Sequence, residues 1–141
     1  MRWSIVVAVG LAGCGPTWAG SYAGPVTTRV SCSDGSGSAS SAPLEVEVSQ
    51  SGSTVEAEPV CGATISGELD GDTATVAQAD CPVQPVLGAD GGYAGEADRT
   101  IVEGGTLRLA GDALELDLVE TIVSSRGMTC DGRMAGTLTR R

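Results

Sequence analysis

Five cysteines and eighteen acidic side chains carry most of the chemistry open to this 141-residue chain. Histidine is absent, and all eight basic residues are arginines, so lysine is absent too. Without an imidazole there is no Ser-His-Asp or Cys-His nucleophile, and without an amine there is no Ser-Lys or Schiff-base route. A pair of carboxylates working as in glycosidases is the remaining option. Among closely spaced acids, Glu45 with Glu47 and Glu115 with Asp117 alternate with apolar residues at period two. That spacing puts them on the outward phase of strands, as a solvated face. No catalytic residue is expected, and the protein reads as non-enzymatic.

Metal chemistry is equally thin. Asp70-Gly71-Asp72 and the set Asp90, Glu96 and Asp98 offer hard oxygen donors among glycines, but neither follows the EF-hand order. Asp-Gly is also a common hairpin turn. Zinc would need clustered thiolates or imidazoles, whereas Cys32, Cys61, Cys81 and Cys130 are isolated, with no CxxC spacing. Neither a metal site nor a cofactor is expected.

Cys14 stands apart from the other four. One positive charge, Arg2, precedes an uncharged apolar run from Trp3 to Val9, and then comes Leu11-Ala12-Gly13-Cys14. This arrangement resembles the lipobox of bacterial lipoproteins. The resemblance implies that residues 1–13 are a signal peptide and that the Cys14 thiol carries a diacylglycerol, with acyl chains such as palmitate. The apolar run is far shorter than the roughly 20 residues that span a bilayer. Two or more acyl chains hold a protein firmly to a membrane. Gly15, where Asp would mark inner-membrane retention, implies the outer membrane of the cell envelope.

Residues 14–17 then form a tether reaching roughly 14 Å at about 3.5 Å per residue, so the domain at 18–141 is expected to sit close against the membrane. Any envelope protein partner would have to be reachable from there. The net charge of −10 becomes more negative once Arg2 is removed. Such a surface repels nucleic acid, which is excluded as a partner.

An even number of cysteines remains for the exported domain, which implies two disulfides. Three pairings are open, and strand parity favours one of them. Side chains alternate along a strand, so Trp18, Gly20, Tyr22, Val26, Val30 and Cys32 share one face. Met128, Cys130, Met134 and Leu138 share another. Each cysteine lies on the more apolar face of its strand, so pairing the first strand with the last would join Cys32 to Cys130 and leave Cys61 with Cys81.

The elements that position these residues are short and regular. After the first strand, residues 33–41 read as a polar loop, and Leu44-Glu45-Val46-Glu47-Val48 as a half-buried strand. A turn at 51–53 and a returning strand at 54–60 complete a hairpin. Strands at 63–69 and 73–79 follow. Residues 82–98, with two prolines and four glycines, form the longest irregular connection. Strands at 99–103, 106–110 and 113–123 are read as joined by turns at Gly104-Gly105 and Gly111-Asp112. A last strand runs from Met128.

No helical period is present, and the apolar fraction of 41% argues for a packed core. Eight or nine such strands make an all-β, up-and-down antiparallel meander, closed into a small barrel or folded as a β-sandwich. Closure is favoured because it removes exposed edges and sets first and last strands side by side. Trp18-Ala19-Gly20-Ser21-Tyr22 resembles the tryptophan-containing first strand of lipocalin-like barrels, and Arg140 or Arg141 resembles the arginine that packs on that tryptophan. What this implies is a carrier of a small apolar ligand, as an alternative to an interaction or structural module of the envelope.

Overall fold

A computed structural model describes residues 17–83, 85–87, 93–96 and 99–141. The fold is an eight-stranded antiparallel barrel, and no helix occurs among the described residues. In chain order the strands are β1 (Gly20–Cys32), β2 (Gly37–Ser51), β3 (Thr54–Val60), β4 (Ala63–Asp70), β5 (Thr73–Val76), β6 (Ala79–Asp80), β7 (Pro85–Leu87), β8 (Tyr93–Glu96), β9 (Arg99–Ala110), β10 (Ala113–Val123) and β11 (Thr129–Arg140). The barrel runs β1-β2-β3-β4-β5-β9-β10-β11 and closes where β11 pairs with β1. The short β6 continues β5 along the same edge of β9, and β7 with β8 forms a separate ribbon.

Closure is staggered. Thr28 pairs with Met134, Met134 with Leu118, Leu118 with Gly105, Gly105 with Val76, Val76 with Gly67, Gly67 with Val55 and Val55 with Gln50. Gln50 lies beyond Val48, whose partner on β1 is Gly20, so the circuit returns to β1 well before Thr28. Tilted strands can close only with such an offset.

Alternation drives the core. Val46 and Val48, Leu107 and Leu109, and Leu114, Leu116 and Leu118 all point inward and are buried, while Glu45, Glu47 and Arg108 at alternate positions are exposed. Three tight hairpins close one pole of the barrel, with loop residues Gly52-Ser53, Gly71-Asp72 and Gly111-Asp112. Each opens on a glycine at positive φ, between 62° and 68°, which a two-residue loop between right-twisted strands requires. Trp18 and Tyr22 fill the barrel at this pole, with 1% and 0% of their surfaces exposed. Asp70-Gly71-Asp72 is therefore part of the β4–β5 hairpin.

Three sequence expectations are corrected. Residues 37–41 are not loop: β2 begins at Gly37, and only Ser33–Ser36 turns the chain. The long β1 supplies a full ladder of backbone partners from Ser31 back to Gly20, and this outweighs the weak strand preference of Ser and Gly. Likewise Gly104-Gly105 is no turn. β9 runs unbroken through it, with a bulge opposite the Val119/Glu120 step. Gly105 is required there because a Cβ would fall 2.2 Å from the Asp117 carbonyl oxygen and 2.8 Å from the Leu118 Cα. The 82–98 connection is also less irregular than expected, since it carries the β7–β8 ribbon.

Candidate functional site

The two poles of the barrel are built differently. At the pole with the tight hairpins, the ends of the described chain meet and seal the interior. Arg140, near the end of β11, donates from Nη1 to the Ala19 carbonyl at 2.6 Å and from Nη2 to the Thr17 carbonyl at 2.5 Å. Its guanidinium carbon lies 4.9 Å from the centre of the Tyr22 ring. Tyr22 in turn donates its hydroxyl to the Trp18 carbonyl at 2.9 Å. Burial pushes the Tyr22 phenol up from its usual range, and the Arg140 charge pulls partly against that shift. The Arg140 guanidinium thus lies over Tyr22 and bonds the carbonyls on either side of Trp18, and Trp18 Nε1 is buried without an acceptor among the described residues.

The opposite pole carries both disulfides. Cys32 and Cys130 are paired in register across β1 and β11 and are bonded to each other. Cys61, in the β3–β4 turn, is bonded to Cys81, just beyond β6. The longer connections also lie here, namely Ser33–Ser36, Ser124–Met128 and the segment carrying β7 and β8. Over Gly37–Val46, β2 is paired with β1 but with no second strand among the described residues, since β3 engages it only from Glu47 onward. Among the described residues the barrel wall is therefore open on one side near this pole. Inward-phase residues Thr28, Val30, Ile122 and Met134 are only half-buried, whereas Trp18, Tyr22, Leu114 and Leu138 towards the closed pole are fully buried.

One inward residue was missed by the sequence reading. Glu120 continues the phase of Leu114, Leu116 and Leu118 and has 4% of its surface exposed. The signal was available: extending the alternation of β10 by one step points this acid inward. Its Oε1 is buried and accepts no hydrogen bond from a described residue. Desolvation pushes its carboxyl above the usual range.

The acids considered for catalysis lie on the outer surface. Glu45 meets Arg141 at 2.8 Å, Glu115 meets Arg108 at 2.6 Å and Asp117 meets Arg133 at 2.5 Å. Hydrogen bonding from Arg133 holds the Asp117 carboxyl below its usual range. Glu47 accepts from Ser21 and stands directly across the sheet from Glu58. These outward pairs are dispersed over several strands and do not converge on one cleft. Asp72 accepts from Thr73 at 3.0 Å within its hairpin.

Leu11, Ala12, Gly13 and Cys14 lie outside the described residues, as do Asp90 and Asp98. Glu96 ends β8. The chain matches no protein-family model, and no curated protein or solved structure is significantly similar to it.

Proposed function

We propose that this protein is a lipid-anchored module of the cell envelope, tethered through Cys14 to the outer membrane and acting without enzymatic chemistry by presenting one pole of its barrel to a partner. The polarity of the barrel supports this reading. Arg140 fixes the segment at Thr17 and Ala19 to the closed pole, so the chain from Cys14 arrives there. Both disulfides and the long connections occupy the other pole, where they would face away from the membrane. Disulfides suit an oxidising exported compartment, and they brace the pole whose wall is incomplete among the described residues.

The test is to express the full chain and its Cys14→Ser variant with a clickable palmitate analogue and then fractionate the cells. The parent chain should be labelled and recovered with the outer membrane. The variant should be unlabelled and either released or retained with its leader. Labelling of the variant to the parental level would overturn the reading.

A second reading, a carrier of a small and largely apolar ligand, is favoured by one observation. Glu120 Oε1, an interior polar atom with no partner among the described residues, belongs to a side chain on the same inward phase as the half-buried Ile122 and in register, through Gly132, with the half-buried Val30.

A further inference from the structure

Glu120 is out of place in its surroundings. Its sheet neighbours are Gly132 on β11 and Val102 on β9, and neither has a side chain that donates a hydrogen bond. The nearest inward positions on β1 and β10 are Val30 and Ile122, also apolar, and the hydroxyls of Thr28 and Thr100, further along the same inward phase, do not donate to Glu120 Oε1. Arg29, Arg99, Arg108 and Arg133 are exposed on the outer phase of their strands, so no internal cation among the described residues neutralises the carboxyl. A buried acceptor left unmatched costs free energy, and the great majority in folded proteins find a partner. Gly132 lets β11 pack close beside Glu120, since a Cβ there would come within 3.4 Å of the Glu120 Cβ and 3.1 Å of Ile122 Cδ1.

We propose that Glu120 is the recognition group of a binding site in the open pole, and that the site takes a small ligand bearing a protonated amine on an apolar body, seated amine first. This deepens the carrier reading and rests on it. The amine supplies the donors and the counter-charge that the protein does not, and the apolar body meets Val30 and Ile122. The net charge of −10 draws cations towards the protein and repels anions, so the long-range field and the local acceptor select the same sign. A metal ion fits less well, because among the described residues no three metal-ligating side chains come together.

Three compounds of one shape separate the possibilities: cyclohexylamine, cyclohexanol and cyclohexanecarboxylate, titrated calorimetrically at pH 7 into the full chain in non-ionic detergent. The amine should bind at least about tenfold more tightly than the alcohol, the increment expected of a charge-assisted hydrogen bond, and the carboxylate should not bind. In Glu120→Gln the preference for amine over alcohol should vanish while alcohol binding persists. Equal binding of amine and alcohol by the parent chain overturns the proposal and leaves the carrier reading standing, and it does so even if the variant does not fold. An unchanged preference in the variant also overturns it. Failure of all three compounds to bind overturns both.

Discussion

The guanidinium carbon of Arg140 lies 4.9 Å from the centre of the Tyr22 ring, while Tyr22 donates its hydroxyl to the carbonyl of Trp18. Three residues from opposite ends of the sequence thereby form one seal. It joins the last strand to the segment Thr17–Ala19 that precedes β1, and its parts act together. Arg140 satisfies two carbonyls that precede β1, and the ring beneath it keeps its side chain in place.

Replacing Arg140 by Ala should cost about 2 kcal/mol, since charge-assisted hydrogen bonds are worth about 1.5–3 kcal/mol and a cation–π contact about 0.5–1. Loss of hydrogen bonds to Thr17 and Ala19 also frees the segment that carries Trp18. With Trp3 changed to Phe, Trp18 is the single tryptophan, and its emission should shift to the red and become quenchable by acrylamide in the Arg140→Ala variant. Unchanged emission would mean that Trp18 is held by the barrel alone. Arg140→Lys should fall between the two, because an ammonium cannot serve both carbonyls in the fork geometry.

The disulfides should differ in weight although they share a pole. Cys32 and Cys130 are 98 residues apart, and Cys61 and Cys81 are 20 apart. Restriction of the unfolded chain predicts about 4.7 kcal/mol for the first and about 3 for the second. Denaturant unfolding of the paired Cys→Ser variants should rank them in that order. Amide exchange should rise first near Cys32 and Gly132, and last near Tyr22. Uniform loosening of the whole barrel would contradict the division into two poles.

Gly105 is a position where backbone packs on backbone. Gly105→Ala places a Cβ against the Asp117 carbonyl and Leu118 Cα, at a φ of 135°, so strain and overlap combine to roughly 3 kcal/mol, or about 10 °C in Tm. Gly111→Ala, in an open hairpin with nothing within 4 Å, should cost only about 1 kcal/mol, from its backbone angle. Thermal melts of the two variants would separate crowding from conformational preference, and equal losses would refute the close approach.

The barrel was legible because its strands obey period two wherever one face is buried. Cys32 and Cys130 fall on the apolar phases of β1 and β11, and those strands are neighbours. Where pattern gives way to context, the sequence misleads. Residues 37–41 look like linker because Ser and Gly carry no hydrophobic phase, yet β1 offers them a ladder. Gly104-Gly105 looks like a turn because glycine serves both turns and bulges, and only the neighbouring β10 reveals which is needed. Glu120 was hidden differently: its charge argues for solvent while its phase argues for the core, and the phase prevails.

That conflict gives Glu120 a pH signature of definite sign. Burial raises its pKa above the value of 4.5 that the unfolded chain would have, so between the two values the folded protein binds more protons than the unfolded one. Stability attributable to this group therefore falls as pH rises from about 4.5 through the raised pKa, and the penalty is constant above it. Glu120→Gln removes the titration while keeping the shape. The difference in Tm between variant and parent chain should be small at pH 4 and should grow in favour of the variant towards pH 7. Asp117 has the opposite sign, because its lowered pKa makes its contribution present at neutral pH and lost only on acidification. Its exposure keeps that contribution small, so it does not mask the trend. A Tm difference independent of pH would show that Glu120 is solvated in the folded state, and with it the unmatched interior acceptor would disappear.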